Sequence, residues 1–232
     1  MSRIIAIGSP PIEVHLRRSA RARRYSLKVS NTDGSVSLVL PTHAPETAAL
    51  DFARRQEGWL RSALARQPQT AAPEFGGHVP YHGRPLLLAP GKERSVRLTG
   101  DRLEIPGAPD ALAAKLAGFL KVRAREDLAA ATATYAKALS RPVAALTLRD
   151  TKSRWGSCSA DGRLMFSWRL VMAPPGVLSY VAAHEVAHLV EMNHSPAFWR
   201  LVRDLMPDYQ PHRTWLKRNG AALHAIRFDR RP

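Results

Sequence analysis

The sequence is poor in cysteine, in long apolar runs and in acidic residues, and each deficit excludes something. A single cysteine among 232 residues, Cys158, excludes an internal disulfide framework. No apolar run approaches the roughly 20 residues that a transmembrane helix needs. The opening residues, MSRIIAIGSPP, contain an apolar run that is too short for the core of a signal peptide. We therefore expect a soluble cytoplasmic protein that does not associate with membranes.

The deficit of acidic residues leaves a strongly basic chain. The chain has 35 lysines and arginines but only 19 aspartates and glutamates, so its formal net charge is +16. Such a surface attracts polyanions, so it favours nucleic acid, a nucleoside triphosphate or an acidic protein substrate as a partner. The alternative is a solvated, arginine-rich surface without a partner, and the oligomeric state is left open. The basic residues cluster at Arg17, Arg18, Arg21, Arg23, Arg24 and Lys28; at Lys152, Arg154, Arg163 and Arg169; and at Arg213, Lys217, Arg218, Arg227, Arg230 and Arg231.

The segment HEVAHLVEMNH, residues 184–194, carries most of the functional information. His184 and His188 are four residues apart, so on an α-helix both imidazoles project from one face and can hold a single metal ion. Glu185, between them, can reach a water molecule bound to that ion. This is the H-E-x-x-H arrangement of zinc hydrolases, in which the metal lowers the pKa of the water and the glutamate accepts its proton. The segment predicts one zinc ion, with Glu185 as the catalytic base.

The surrounding residues predict a helix from Val177 to Glu191. Pro174-Pro175-Gly176 precedes it as a start signal, and no proline or glycine interrupts it. Its many apolar residues predict that most of the helix is buried, where histidine and glutamate side chains are costly without partners. The alternative, a pair of hydrogen-bonded core histidines, explains the His-Glu-His spacing poorly.

A catalytic zinc ion needs a third protein ligand. We predict His194, which lies at a corner before a new helix that Ser195-Pro196 would open. Glu191 is the rival, but on a continuous helix it lies about 10 Å along the axis from His184, which is too far for a shared ion. Cys158 is a weaker alternative, because a thiolate added to three imidazoles would close the site to substrate.

A second segment, TKSRWGSCS at 151–159, makes the assignment more specific. Together with YVAAHEVAHLVEMNHSPAFW it resembles the YgjP-like metallopeptidase-domain family, which is related to the SprT-like and WLM zinc peptidases. The similarity runs from about Leu146 to Trp215, and PTHAP and YHGRPLLL extend it toward the N-terminus. The resemblance implies a compact zincin-type fold, with zinc on His184, His188 and His194 and with Glu185 as general base.

The resemblance leaves the substrate open. We expect a metallopeptidase that acts on a peptide or protein, but a pyrophosphohydrolase activity on UTP has also been attached to the family name. Against that alternative, the chain has no G-x-x-x-x-G-K-[ST] loop, and three imidazoles suit zinc rather than magnesium. A third alternative is a nucleic-acid-binding module with a structural zinc ion.

Three residues are candidates for binding substrate or for stabilising an oxyanion: Arg154, Tyr209 and His212. The sequence does not rank them, although we expect His212 to pack near the His194 corner. We also expect residues 152–159 to wall the substrate cleft, with Trp155 in the core and a tight turn at Gly156.

The pattern of elements predicts an α+β fold in two parts. Residues 1–107 form a β-rich N-terminal region: a hairpin over 12–40 with its turn at Asn31-Thr32-Asp33-Gly34, one helix over 45–66, and short strands between 79 and 105. Residues 108–232 form a zincin-like metallohydrolase domain: a helix over 110–140, strands at 146–149 and 164–170, the H-E-x-x-H helix, and helices over 196–206 and 211–223.

Overall fold

The computed structural model describes residues 3–30, 34–66 and 70–228. The predicted α+β class, with strands dominating the N-terminal part and helices the C-terminal part, is confirmed. The chain divides into two compact units, Met1–Gln69 and Thr70–Pro232. The predicted boundary at 107/108 falls inside the second unit, because the strands before it share a hydrophobic core with the helices after it. That residues 1–107 and 108–232 fold as separate domains stays a prediction.

The first unit contains a four-stranded sheet. Strands β1 (Arg3–Ile7), β2 (Ile12–Ser19), β3 (Ser26–Val29) and β4 (Val36–Pro41) lie in the order β1-β2-β4-β3. Strands β3 and β4 form an antiparallel hairpin, and residues 31–33 of its predicted turn lie outside the described residues. Side chains along β2 and β4 point alternately to the two faces of the sheet. The side chains on one face are buried, among them Val14, Leu16, Leu38 and Leu40.

Two predictions for this unit need correction. The single helix predicted over 45–66 is two helices, α1 (Glu46–Arg55) and α2 (Glu57–Ala65), because Gln56 leaves the helical conformation at φ −94° and ψ 9°. The alternation of the basic residues between 17 and 28 with Tyr25, Leu27 and Val29 predicts that they lie on the outer face of a strand. They are exposed, but Arg21, Arg23 and Arg24 lie in the β2–β3 connection rather than on a strand.

The described residues of the second unit form two small sheets. Strands β5 (His78–Tyr81), β6 (Arg84–Gly91), β7 (Arg97–Thr99) and β8 (Arg102–Pro106) lie in the order β5-β6-β8-β7. Strands β9 (Ala145–Arg149), β10 (Gly156–Cys158) and β11 (Arg163–Ser167) lie in the order β10-β11-β9, and β11 runs parallel to β9 and antiparallel to β10. The strand predicted over 164–170 ends early because Trp168–Met172 turn into a buried 3₁₀ helix.

Within residues 70–228, four α-helices complete the second unit. They are α3 (Leu112–Ala138), α4 (Pro175–Ala187), α5 (Pro196–Leu205) and α6 (Tyr209–Ala225). Helix α3 packs against α4 and β9, while α4 also contacts α5, α6 and β10. This arrangement surrounds α4 with other elements and explains why it is apolar on nearly all sides. Within the described ranges, no helix is long and apolar enough to cross a membrane.

Candidate metal centre

Helix α4 carries the H-E-x-x-H segment, but it ends earlier than predicted. Its last residue is Ala187 rather than Glu191, and His188 is the C-cap residue. The N–H groups of Leu189 and Val190 donate to carbonyls three residues back, on Val186 and Ala187. Such i→i+3 bonds tighten the last turn of a helix. The chain can therefore turn sharply after His188 instead of continuing along the helix axis.

This turn brings the three predicted ligands together. The nitrogen atoms that His184, His188 and His194 can offer to a metal all lie within 4.8 Å of one another. The Nε2 atoms of His184 and His194 are 3.0 Å apart. Tetrahedral zinc with Zn–N bonds of about 2.05 Å places two ligand nitrogens about 3.3 Å apart. The cluster is therefore compatible with one zinc ion bound by three imidazoles.

The main chain determines which nitrogen of His188 faces the cluster. Its Nδ1 lies 2.9 Å from the carbonyl oxygen of Glu191. A carbonyl only accepts, so Nδ1 must be protonated, and the lone pair of the neutral imidazole is then on Nε2. Glu191 thus contributes its main chain to the site, and its carboxylate does not belong to the ligand cluster.

Aromatic side chains of α5 form the wall behind the histidines. The ring of Phe198 lies 4.5 Å from that of His188 and 4.9 Å from that of His184, between ring centroids. Ser195 caps α5 by accepting the N–H of Phe198 at 3.2 Å, as predicted. Burial, followed by the charges of His188, His194 and Arg213, lowers the pKa of His184 to about 3. A neutral imidazole is the form that binds a metal.

Glu185 lies beside the cluster and is 5% exposed. Burial raises the pKa of its carboxyl group to about 8, while the nearby charge of Arg154 acts in the opposite direction. The carboxylate packs against strand β10 at Gly156, where an added Cβ would lie 2.6 Å from Cγ of Glu185. The predicted tight turn at Gly156 is wrong, because Gly156 begins β10 and provides the space for Glu185.

A cleft of about 420 Å³ opens over these side chains. Of the residues 152–159 that were expected to wall the cleft, five line it, including all of strand β10, and the turn after α4 forms the other wall. Trp155 does not line the cleft; its ring packs on Gly220 and lies 4.6 Å from that of His224. The lining residues are Ser153, Arg154, Gly156, Ser157, Cys158, His184, Glu185, His188, Met192 and His194.

Cys158 lines the cleft but is not one of the clustered ligands. Burial, with the charges of Glu185 and Asp161, raises the pKa of its thiol to about 11. A thiol with such a pKa stays protonated at neutral pH, and only the thiolate ligates zinc well. The three-histidine cluster is therefore the better ligand set.

The three candidates for substrate binding lie in different places. Arg154 lines the cleft, and its guanidinium has no ion pair with any residue that the structure describes. Tyr209 is buried behind the site, stacked on Trp199 with ring centroids 5.7 Å apart. His212 packs against Gly176 at the start of α4, about 12 Å along the helix from the backbone of His184. The expectation that His212 lies near the His194 corner stays a prediction.

Arg213 was not predicted from the sequence. Its guanidinium lies 4.4 Å from the ring centroid of Trp199, and that ring lies 5.8 Å from the ring of His194. The signal available in the sequence was a charged residue one turn after Tyr209, which carries little information by itself. The pair His78 and His82, also four residues apart, forms no metal cluster in the described part of the chain; His82 instead contacts Asp127 at 2.6 Å.

Comparison with known proteins agrees with this geometry. The family model of the YgjP-like metallopeptidase domain matches residues 23–219, which include every residue of the histidine cluster and of the cleft. No curated protein and no solved structure matches the chain.

Proposed function

The chain belongs to the YgjP-like metallopeptidase-domain family, and on this premise we propose that it is a zinc-dependent metallopeptidase. His184, His188 and His194 hold one zinc ion, and Glu185 is the general base. The observation that carries the proposal is the cluster of three imidazoles within 4.8 Å, beside a buried carboxylate that is not one of the ligands. A structural zinc site would use four protein ligands and would not need that carboxylate.

Zinc, when bound by three imidazoles, polarises a carbonyl group and lowers the pKa of water to about 7. The side chains of this protein provide the rest. The hydrogen bond from His188 to Glu191 fixes the orientation of one imidazole, and the wall formed by Phe198 limits movement of two of them. Burial alone favours the protonated carboxyl of Glu185, and a dication bound beside it would lower its pKa and restore the carboxylate. That carboxylate would accept a proton from the attacking water and then deliver it to the amine that leaves.

Strand β10 supports a peptide rather than a nucleotide as the substrate. It is the edge strand of its sheet on the side of the cleft, so its outer main-chain groups are not paired with another described strand. An extended peptide can pair with such an edge through main-chain hydrogen bonds. This pairing would place one peptide bond over the histidine cluster. Arg154, on the same wall, would bind the carbonyl oxygen or a substrate carboxylate.

The proposal is tested by comparing the zinc-loaded protein with its Glu185→Gln variant on an unfolded protein substrate and, separately, on UTP. We expect proteolysis by the wild type and a loss of about 100-fold or more in the variant. Glu191→Gln is the matched control, because it makes the same chemical change while keeping the main-chain carbonyl that orients His188. It should retain activity.

Each other outcome contradicts the proposal. UTP cleavage that disappears in Glu185→Gln would make the protein a nucleotide pyrophosphohydrolase. No turnover of either substrate, together with salt-sensitive RNA or DNA binding that survives Glu185→Gln, would make it a nucleic-acid-binding module with structural zinc.

A further inference from the structure

The second edge of the β10-β11-β9 sheet lies away from the cleft. Strand β9 pairs with β11 on one side and has no partner among the described strands on the other. Proteins usually protect such edges with prolines, bulges or charged side chains. Of the five residues of β9, ALTLR, only the last is charged. This edge is therefore open to an added strand.

Helix α3 runs beside this edge and encloses two cavities with it. A cavity of about 630 Å³ lies between α3 residues 129–137 and the segment 140–146, and one of about 490 Å³ lies between α3 residues 121–126 and the segment 148–150. From the first cavity to the second, residue numbers fall along α3 and rise along β9. The helix and the strand are therefore antiparallel. The two cavities follow one another along both elements, and we call them the α3–β9 groove.

Both ends of the groove are positively charged. The acidic residues at the second cavity, Glu126 and Asp150, are already paired with Arg123 at 2.7 Å and with Arg169 at 2.6 Å. The basic lining residues, in contrast, form no ion pair with any described residue. These residues are Lys137 and Arg141 at the first cavity and Lys121, Arg125 and Arg149 at the second.

The middle of the groove is apolar. Its lining includes Ala129, Ala133, Ala136 and Leu146, and its described lining residues include no exposed aromatic ring on which a base could stack. Nucleic-acid grooves combine basic residues with such stacking platforms. Alanines beside an open strand edge suit a polypeptide better, since they leave room for the backbone of an added strand.

We propose that the α3–β9 groove binds an extended, acidic segment of a partner protein, which pairs with β9 as a fourth strand of the sheet. The apolar middle of the groove takes its small apolar side chains, and the basic residues at both ends bind its carboxylates. From Lys121 to Lys137 the helix rises about 24 Å, which an extended chain covers in about seven residues. This site is separate from the cleft and does not depend on the proposed peptidase activity.

The test uses a fluorescent peptide of about ten residues, with aspartates at both ends and alternating valine and threonine between them. Fluorescence anisotropy measures its binding to the full chain carrying Glu185→Gln, so that cleavage cannot be mistaken for release. We expect saturable binding that weakens by about fivefold in Arg149→Glu and in Lys137→Glu, as reversal of one partly exposed charge implies. Lys217→Glu, an exposed charge reversal on α6, is the matched control and should leave the affinity unchanged.

Strand addition is tested separately from charge. In two further peptides, alternate backbone nitrogens are methylated: one peptide is methylated at its odd-numbered residues and the other at its even-numbered residues. Each peptide therefore lacks the N–H groups along one edge of its extended chain. Binding should be lost for one of them and kept for the other, because only one edge faces β9. No binding at millimolar peptide, equal binding of both methylated peptides, or an equal loss in Lys217→Glu would overturn the proposal. Tighter binding of an oligouridylate that is weakened by Arg149→Glu would assign the groove to nucleic acid instead.

Discussion

Gly156 of β10 lies directly against Glu185 of α4: a Cβ atom at position 156 would be 2.6 Å from Cγ of the glutamate and 2.8 Å from its Cδ. Gly156 has no positive φ, so the glycine is needed for space and not for backbone conformation. The contact joins the two walls on which the proposed chemistry depends. The position of the carboxylate is therefore set by the strand that would also pair with the substrate.

Gly156→Ala should abolish the proposed peptidase activity without preventing zinc from binding. The methyl group displaces Glu185 or pushes β10 away from α4, and a misplaced general base costs about 100-fold or more in kcat. The three imidazoles are not touched, so zinc content measured by atomic absorption should match that of the wild type. Gly118→Ala is the control, because a Cβ there meets nothing within 4 Å and should leave activity unchanged. A fully active Gly156→Ala enzyme would show that Glu185 does not need this contact.

The ligand cluster could be predicted from the sequence because helix periodicity fixes His184 and His188 on one face, and because Ser195-Pro196 marks the next helix start. The end of α4 could not be predicted. The periodic apolar pattern continues to Leu189 and Val190, whereas the helix ends at Ala187 and the next residues form i→i+3 hydrogen bonds. The role of Gly156 was not visible either, since it depends on the distance between β10 and α4.

The same limit applies to the fold. Strand β1 was missed because its few residues, RIIAI, show no alternation, and their pairing with β2 is a tertiary contact. Within the region of short strands predicted between 79 and 105, the segment 78–91 forms two strands, β5 and β6, because His82, a non-glycine residue, adopts φ 51° between them. Local patterns predict where elements exist, but interruptions of this kind depend on the surrounding structure.

Zinc should stabilise the second unit, and His194 should be needed for the full effect. Binding to the folded state alone adds about 4 kcal/mol when the free metal is about 1,000 times its Kd. We expect chelation to lower the Tm of the wild type, and we expect zinc to raise the Tm of His194→Ala much less. His78→Ala removes an exposed histidine from β5 and should behave as the wild type. Equal zinc-induced shifts in the wild type and His194→Ala, measured by differential scanning calorimetry, would remove His194 from the ligand set.

Arg154→Ala should lower kcat/KM by about tenfold or more, because it removes the cation that lines the cleft beside Glu185. Arg154→Lys keeps the positive charge but not the forked geometry of the guanidinium, so it should restore only part of the lost kcat/KM. A fall in kcat would indicate stabilisation of the oxyanion, whereas a rise in KM alone would indicate binding of a substrate carboxylate. Lys152→Ala, an exposed neighbour outside the cleft, is the control. Unchanged kinetics in Arg154→Ala would exclude both roles.

His224 should make the protein less stable in mild acid. Burial, followed by the charge of Arg169, lowers the pKa of this histidine from 6.5 to about 4, and its ring lies 4.6 Å from that of Trp155. Between these two pH values the unfolded chain binds a proton that the folded chain does not, so the free energy of unfolding falls as the pH drops from 6.5 to 4. His224→Gln should reduce this dependence, whereas His78→Gln should not. Urea titrations of zinc-free protein at several pH values would test this, and parallel curves for the wild type and His224→Gln would contradict it.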